Sequence, residues 1–172
     1  ADVASFLQTL TFADGTPVPF IFRPWHEYNG SWFWWGAELC SPEEYKALFA
    51  MLQDCMNAAM PGQIVWSQSP NLQGNWTEDL FSERFVGEDR CDILGQDCYQ
   101  WGTEEDFIAA NTVDVAFLSE FAHSRGMLFA ITEGGRVNSD IPDWWSRVFL
   151  PMLEPYKVCY VLPWRNWNAE HF

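Results

Sequence analysis

Along the chain, short apolar runs rich in Val, Ile and Phe alternate with longer amphipathic stretches, the pattern of strands and helices wound around a parallel sheet. The runs predict strands over 20–23, 64–67, 93–96, 127–132 and 158–162. Between the first two, Ser41 and Pro42 open a helix: Ser is a good N-cap, Pro suits the first helical position, and Glu43 and Glu44 suit the positive helix start. This helix ends before Pro61 and Gly62. A second helix is predicted over 104–125, with Phe107, Ala110, Val113, Phe117 and Phe121 as a core stripe at helical spacing and Gly126 as its terminator. A third lies around 144–153. With no internal repeat, low-complexity tract or linker, one domain over 1–172 is the simplest organisation. Five strands in βα order fit an open doubly wound sheet or part of a (β/α)8 barrel, both α/β architectures.

Composition changes this picture at one point. The chain carries 11 Trp and 14 Phe, more rings than a domain of 172 residues needs, so some are expected to line a cleft while the rest fill the core. A net charge of −15 without a basic stripe argues against nucleic acid or an anionic membrane surface as partner, and is indifferent to a neutral ligand. No apolar stretch reaches 18 residues, and the first residues lack the basic and apolar regions of a signal peptide. The five cysteines, Cys40, Cys55, Cys91, Cys98 and Cys159, form no CxxC pair and indicate neither a zinc site nor a full disulfide framework. Cys91 and Cys98 flank one predicted strand and lie too far apart to bond.

In either α/β architecture the site lies beyond the carboxyl ends of the strands, so the residues following each apolar run are the candidates. After the first run come His26 and Glu27 within an aromatic loop, after the third Asp97 and Tyr99, after the fourth Glu133, Gly134 and Gly135, and after the last Trp164 and Arg165. Two carboxylates at two strand ends suit glycoside hydrolysis, in which one protonates the leaving oxygen and the other attacks the anomeric carbon or activates water. The glycines after Glu133 would let backbone approach a ligand. A solvated or ion-paired Glu is the ordinary alternative for either carboxylate alone, and the surrounding aromatic loops weigh against it. Other chemistries fail on spacing. A zinc-protease HExxH needs His at position 30, where Gly30 stands, and Ser31 and Ser119 lie in no GxSxG elbow. No phosphate-cradling glycine loop is present, so hydrolysis needing neither metal nor cofactor remains. Asn29-Gly30-Ser31 and Asn75-Trp76-Thr77 match the N-glycosylation pattern by chance, since the first would place a glycan in the cleft.

Four segments carry a resemblance to a known family: Arg23-Pro24-Trp25-His26-Glu27-Tyr28-Asn29-Gly30 with Trp32-Phe33-Trp34-Trp35-Gly36, then Asp92-Ile93-Leu94-Gly95-Gln96-Asp97-Cys98-Tyr99, then Ile131-Thr132-Glu133-Gly134-Gly135, and Val161-Leu162-Pro163-Trp164-Arg165-Asn166. Together they resemble glycoside hydrolase family 26, best known for endo-β-1,4-mannanases. The resemblance implies a (β/α)8 TIM barrel with Glu27 as acid/base and Glu133 as nucleophile. It further implies that His26 orients the sugar or the catalytic groups, that Tyr99 bonds the nucleophile, and that Trp164 forms the platform beneath the sugar at the cleavage position. Trp32 and Arg165 match residues that contact flanking sugars, while Asp97 either joins them or holds an Arg or His in place.

Complete barrels of this kind need about 250 residues. The five predicted strands therefore correspond to the fourth through eighth, so that the chain would be an incomplete, C-terminal part of the catalytic barrel, entered within the third helix. The implied activity is retaining endo-hydrolysis of β-1,4-mannan, with β-1,3-xylan, mixed-linkage β-glucan or a non-catalytic carbohydrate-binding fragment as the alternatives. A polymeric substrate implies a secreted, periplasmic or cell-surface protein.

Overall fold

The computed structural model describes residues 2–137 and 141–164. Five strands form one parallel sheet in the order β1-β2-β3-β4-β5: Phe20–Phe22, Ile64–Gln68, Ile93–Gln100, Leu128–Arg136 and Val161–Pro163. Spatial order follows chain order, as successive βα units winding the same way require. The sheet curls with helices on its outer side, an incomplete (β/α)8-like barrel. Residues on the two outermost strands are partly uncovered, Ile21 at 45% and Leu162 at 40% exposure. Among the described residues no helix is long and apolar enough to cross a membrane.

The helix signals read from sequence act as written. In α2, Pro42–Ala59, the Ser41 hydroxyl accepts from Glu44 N at 3.2 Å while the Glu44 carboxylate accepts from Ser41 N at 2.8 Å, closing a capping box. α2 buries Tyr45, Phe49 and Met56. Helix α4, Glu104–Ser124, packs on β3 and β4, but its buried face differs from the predicted stripe. Val113 is exposed at 46%, and the face against the sheet runs Phe107, Asn111, Asp114, Val115, Leu118, Phe121 and Ala122. Two polar residues replace two apolar ones because Asn111 and Asp114 have partners there: Gln96 on β3, and the loop after β2. The third predicted helix is a π-helical turn, Trp145–Phe149, running into a short α5, Leu150–Leu153. Pro151 lacks the N–H that would reach the Arg147 carbonyl, and its ring clashes there, so the ladder shifts register. Two short helices escaped the periodicity reading, α1 (Asp2–Leu7) and α3 (Glu78–Ser82); the latter is capped by Thr77.

The strands β3 and β4 run four residues further than predicted. They pair from Ile93↔Leu128 to Gln100↔Arg136, so Asp97, Tyr99 and Glu133 lie within strands rather than after them. The register shifts midway: Gln96 faces Ile131 and Asp97 faces Glu133, leaving Thr132 as an extra residue. Without it Glu133 would pair with Cys98, whose neighbour Gln96 points at α4. The bulge turns Glu133 to the inner face, beside Asp97. Gly134 serves packing rather than a ligand, since a Cβ there would lie 2.9 Å from the Phe149 ring. All five cysteines are free thiols.

Removing the cap by Ser41→Ala is expected to lower the unfolding free energy by about 1 kcal/mol, read from urea denaturation at constant slope.

Candidate active site

At the carboxyl ends of the strands a cleft of about 710 Å3 opens, within the usual range for small-ligand sites. His26, Glu27, Trp32, Tyr99, Glu133 and Trp164 all line it, so residues far apart in sequence share one wall. Asp97 does not reach the cleft surface: it is fully buried beneath. Arg165 lies outside the described residues.

The floor is an ionic cluster centred on Arg23, the residue following β1. Its Nη1 donates to Asp97 Oδ2 at 2.7 Å and to Ser69 Oγ at 2.9 Å, and its Nη2 donates to Glu133 Oε1. Burial works against the Arg23 charge, but Asp97 and Glu133 outweigh it and the guanidinium is held all the more firmly charged. Asp97 also accepts from Thr132 Oγ1 at 2.6 Å. Burial drives the Asp97 carboxyl well above the usual carboxylate range, with the pull of Arg23 smaller and opposite. The other Glu133 oxygen accepts from Tyr99 Oη at 2.8 Å, and burial together with the Glu133 charge keeps that phenol protonated. Ligand atoms of His26, Asp97 and Glu133 fall within 4.8 Å of one another, and the cation that bonds both carboxylates of this trio is the guanidinium of Arg23.

Glu27 stands on a contorted loop. Trp25 (φ 54°) and Glu27 (φ 52°) occupy the left-handed region, which side-chain-bearing residues avoid unless their surroundings over-determine it. Those surroundings are present. Tyr45 Oη donates to the Trp25 carbonyl at 3.3 Å, Trp35 Nε1 to the His26 carbonyl at 2.8 Å, and Glu27 N to the Ser69 carbonyl at 2.8 Å. The Glu27 carboxylate accepts from Trp32 Nε1 at 2.7 Å. Gly30 lets the Trp32 ring lie across the loop: a Cβ there would sit 2.4 Å from ring carbons. Burial raises the Glu27 pKa, Trp32 opposes the shift, and the charge of Glu133 adds to it. His26 packs against Phe33 with its Nε2 3.9 Å from Glu133 Oε1, and burial followed by the Arg23 charge lowers its pKa toward the neutral imidazole.

Several residues of the site had no role in the sequence reading. Arg23 stood in the quoted motif unassigned, though a cation ending a strand beside two carboxylate-bearing ones is itself a signal. Asn71, Phe33 and Trp101 also line the cleft. Asn71 follows the second apolar run after Gln68, Ser69 and Pro70, a strand-end position like those of the other site residues. Trp101, 77% exposed, follows β3 directly. The Asn29 amide donates to the Asn71 carbonyl and to Gln73 Oε1, bonds that a glycan would displace.

With this geometry in view, the comparisons with known proteins are pointed. A profile described as glycosyl hydrolase family 26 matches residues 1–139. Over 97% of its length the chain is 37% identical to a mannan endo-1,4-beta-mannosidase of Bifidobacterium adolescentis, covering 18% of that protein. It is 27% identical over 97% of its length to the Bacillus subtilis (strain 168) mannan endo-1,4-beta-mannosidase, covering 44% of it. Among solved structures, a GH26 beta-mannanase from Bacteroides ovatus superposes with a TM-score of 0.93 at 36% identity, over 99% of this chain and 49% of that one. An endo-beta-1,4-mannanase of Cellulomonas fimi, solved as a double mutant, gives 0.88 at 30% identity, over 99% and 40%. The chain thus spans at most about half the length of these relatives.

Two outcomes follow from the geometry. Trp32→Phe keeps a ring but removes the donor that favours the Glu27 carboxylate, so the Glu27 titration followed by carbon-13 NMR moves to higher pH. Arg23→Gln leaves Asp97 and Glu133 facing each other without their cation and is expected to cost about 3–5 kcal/mol in urea denaturation.

Proposed function

This chain belongs to glycosyl hydrolase family 26, and from that premise we propose that the protein is a retaining endo-β-1,4-mannanase, with Glu27 as general acid/base and Glu133 as nucleophile. The observation that carries the reading is the contrast between the two carboxylates. Both Glu133 oxygens accept hydrogen bonds, one from Arg23 and the other from Tyr99, and these hold the carboxylate in a fixed orientation for attack on carbon. Glu27 sits across the cleft wall in a setting where burial favours the protonated acid.

The cycle follows from these environments. Glu27 protonates the glycosidic oxygen as a Glu133 oxygen bonds the anomeric carbon, and the aglycone leaves with the proton. Bond formation neutralises Glu133, removing the charge that helped hold the proton on Glu27. The Glu27 carboxylate then takes a proton from water, which attacks the anomeric carbon and releases Glu133 with configuration retained. Neutral His26 beside Phe33 suits a hydroxyl-bearing substrate, offering hydrogen bonds without a competing charge. Trp164, 41% exposed on the cleft wall with its main-chain N–H donating to the Gly134 carbonyl at 3.0 Å, suits the apolar face of a pyranose. Trp32, and Arg165 beyond the described residues, complete this reading as contacts to flanking sugars. Asp97 acts from beneath by fixing Arg23.

The same reading assigns β1–β5 to the fourth through eighth strands of a (β/α)8 barrel and treats residues 1–172 as part of one catalytic domain, supported by the coverage of about half of each related catalytic chain. A polymer too large to cross a membrane places its action outside the cytoplasm, in the medium, the periplasm or at the cell surface.

The test uses the full-length protein on β-1,4-mannan, β-1,3-xylan and mixed-linkage β-glucan. Mannan is cleaved internally, the first-formed reducing end seen by proton NMR is the β anomer, and Glu133→Gln lowers kcat by several orders of magnitude while substrate binding by calorimetry persists. First release of the α anomer, or unchanged kcat in Glu133→Gln, refutes the assignment.

A further inference from the structure

Glu27 can deliver a proton only if its carboxyl is held at the glycosidic oxygen, yet it rides on a loop with two residues in an unfavourable backbone conformation. Ring packing and the bonds from Tyr45 and Trp35 restrain the stretch preceding Glu27. What restrains the stretch following it is Asn29. Its side-chain amide pairs reciprocally with the main chain of Asn71: Asn29 Nδ2 donates to the Asn71 carbonyl at 3.0 Å, and Asn71 N donates to Asn29 Oδ1 at 2.8 Å. A third bond runs from Asn29 Nδ2 to Gln73 Oε1 at 3.0 Å. Among the described residues the side-chain bonds of Asn29 all go to one neighbouring loop, 69–74.

Loop 69–74 is itself fixed from two sides. Toward the sheet, Asp97 N donates to the Pro70 carbonyl at 2.9 Å and Leu72 N to the Asp97 carbonyl at 2.8 Å, so the loop continues the ladder of β3. Away from it, fully buried Asp114 on α4 accepts from Gln73 N at 2.6 Å and from Gly74 N at 2.8 Å through the single oxygen Oδ2. The same loop supplies the Ser69 carbonyl that accepts from Glu27 N. Hydrogen bonds, joined through the backbone of the loop itself, therefore connect α4 to the residue bearing the carboxyl: Asp114 to 73–74, along the loop to 69–71, and from there to Asn29 and Glu27.

We infer that Asn29 and Asp114 are positioning residues for the proton transfer, bracing the Glu27 carboxyl through loop 69–74. This rests on the reading of Glu27 as the acid, and it explains two features otherwise idle. A buried Asp114 stands on the apolar face of α4, and a side-chain amide inside an Asn-Gly-Ser pattern is bonded to a facing loop.

The distinguishing readout is dependence on the leaving group. Departure of a sugar needs the acid, whereas departure of 2,4-dinitrophenolate does not, so misplacing Glu27 slows the first and spares the second. In the full-length protein kcat/KM is measured on a linear β-1,4-manno-oligosaccharide and on a 2,4-dinitrophenyl β-mannoside of the same glycone, for wild type, Glu27→Ala, Asn29→Ala, Asp114→Ala and Asp114→Asn. Asn29→Ala is expected to lose about 10²-fold on the oligosaccharide, the scale of a 1 Å misplacement, and to be unchanged on the aryl substrate. Asp114→Asn keeps an oxygen able to accept both N–H bonds and recovers the oligosaccharide activity that Asp114→Ala loses; should Asp114→Ala not fold, Asn29→Ala decides alone. Equal losses on both substrates, or none on either, overturn the brace. If Glu27→Ala itself fails to discriminate between the substrates, the acid assignment falls instead, and the brace with it.

Discussion

Arg23 stands at the carboxyl end of β1 with its guanidinium bonded to Asp97 on β3 and Glu133 on β4, so one cation joins the active ends of three strands. Burial pushes the Asp97 carboxyl up, and a guanidinium that bridges Asp97 and Glu133 through its two terminal nitrogens opposes that shift and ties the pair together. Each neighbouring contact has its place because of this cluster. Ser69 and Thr132 satisfy what remains of the Arg23 and Asp97 hydrogen-bonding capacity, and Tyr99 takes the second Glu133 oxygen. Where Arg would be a surface residue in most chains with this excess of acid, here it is an internal counterion.

The two glutamates differ in how their environments resolve charge. Glu133 is surrounded by donors, Glu27 by rings and a single indole N–H. In the proposed cycle this difference needs no moving part: forming and breaking one covalent bond to Glu133 switches a charge off and on, and Glu27 responds through space. The aromatic loop supplies the low dielectric that makes such a response large, which gives the dense run of Trp and Phe residues an electrostatic use beside its stacking one.

The alternation of apolar runs and amphipathic stretches placed the first four strands and the two long helices, and met β5 only at Val161 and Leu162, since its predicted run began at 158. Ser41 with Glu44 and Thr103 with Asp106 act through neighbours three residues away, so such contacts need no tertiary information. Strand ends were misread where their residues are polar: Asp97 to Gln100 and Glu133 to Arg136 are strand because the partner strand pairs with them, which no local propensity records. The face of α4 was misjudged for a related reason, since Asn111 and Asp114 look like solvent residues until their partners are seen. Of the site, motif likeness reached His26, Glu27, Trp32, Tyr99, Glu133 and Trp164 on the cleft wall, and it missed Phe33, Asn71 and Trp101 there together with the supports beneath. Arg23, Ser69, Asn71 and Thr132 act on side chains distant in sequence, and only the folded sheet brings them together.

Thr132, the unpaired residue of β4, makes the site a matter of parity. Side chains along a strand alternate between the two faces, so the orientation of Glu133 is fixed by whether an odd or even number of residues separates it from the paired segment before it. Loops in such a fold can lengthen or shorten over evolutionary time with little effect on which face a side chain meets. A single codon gained or lost between Ile131 and Glu133 would instead move the carboxylate to the far side of the sheet, leaving the strand intact and the chemistry gone.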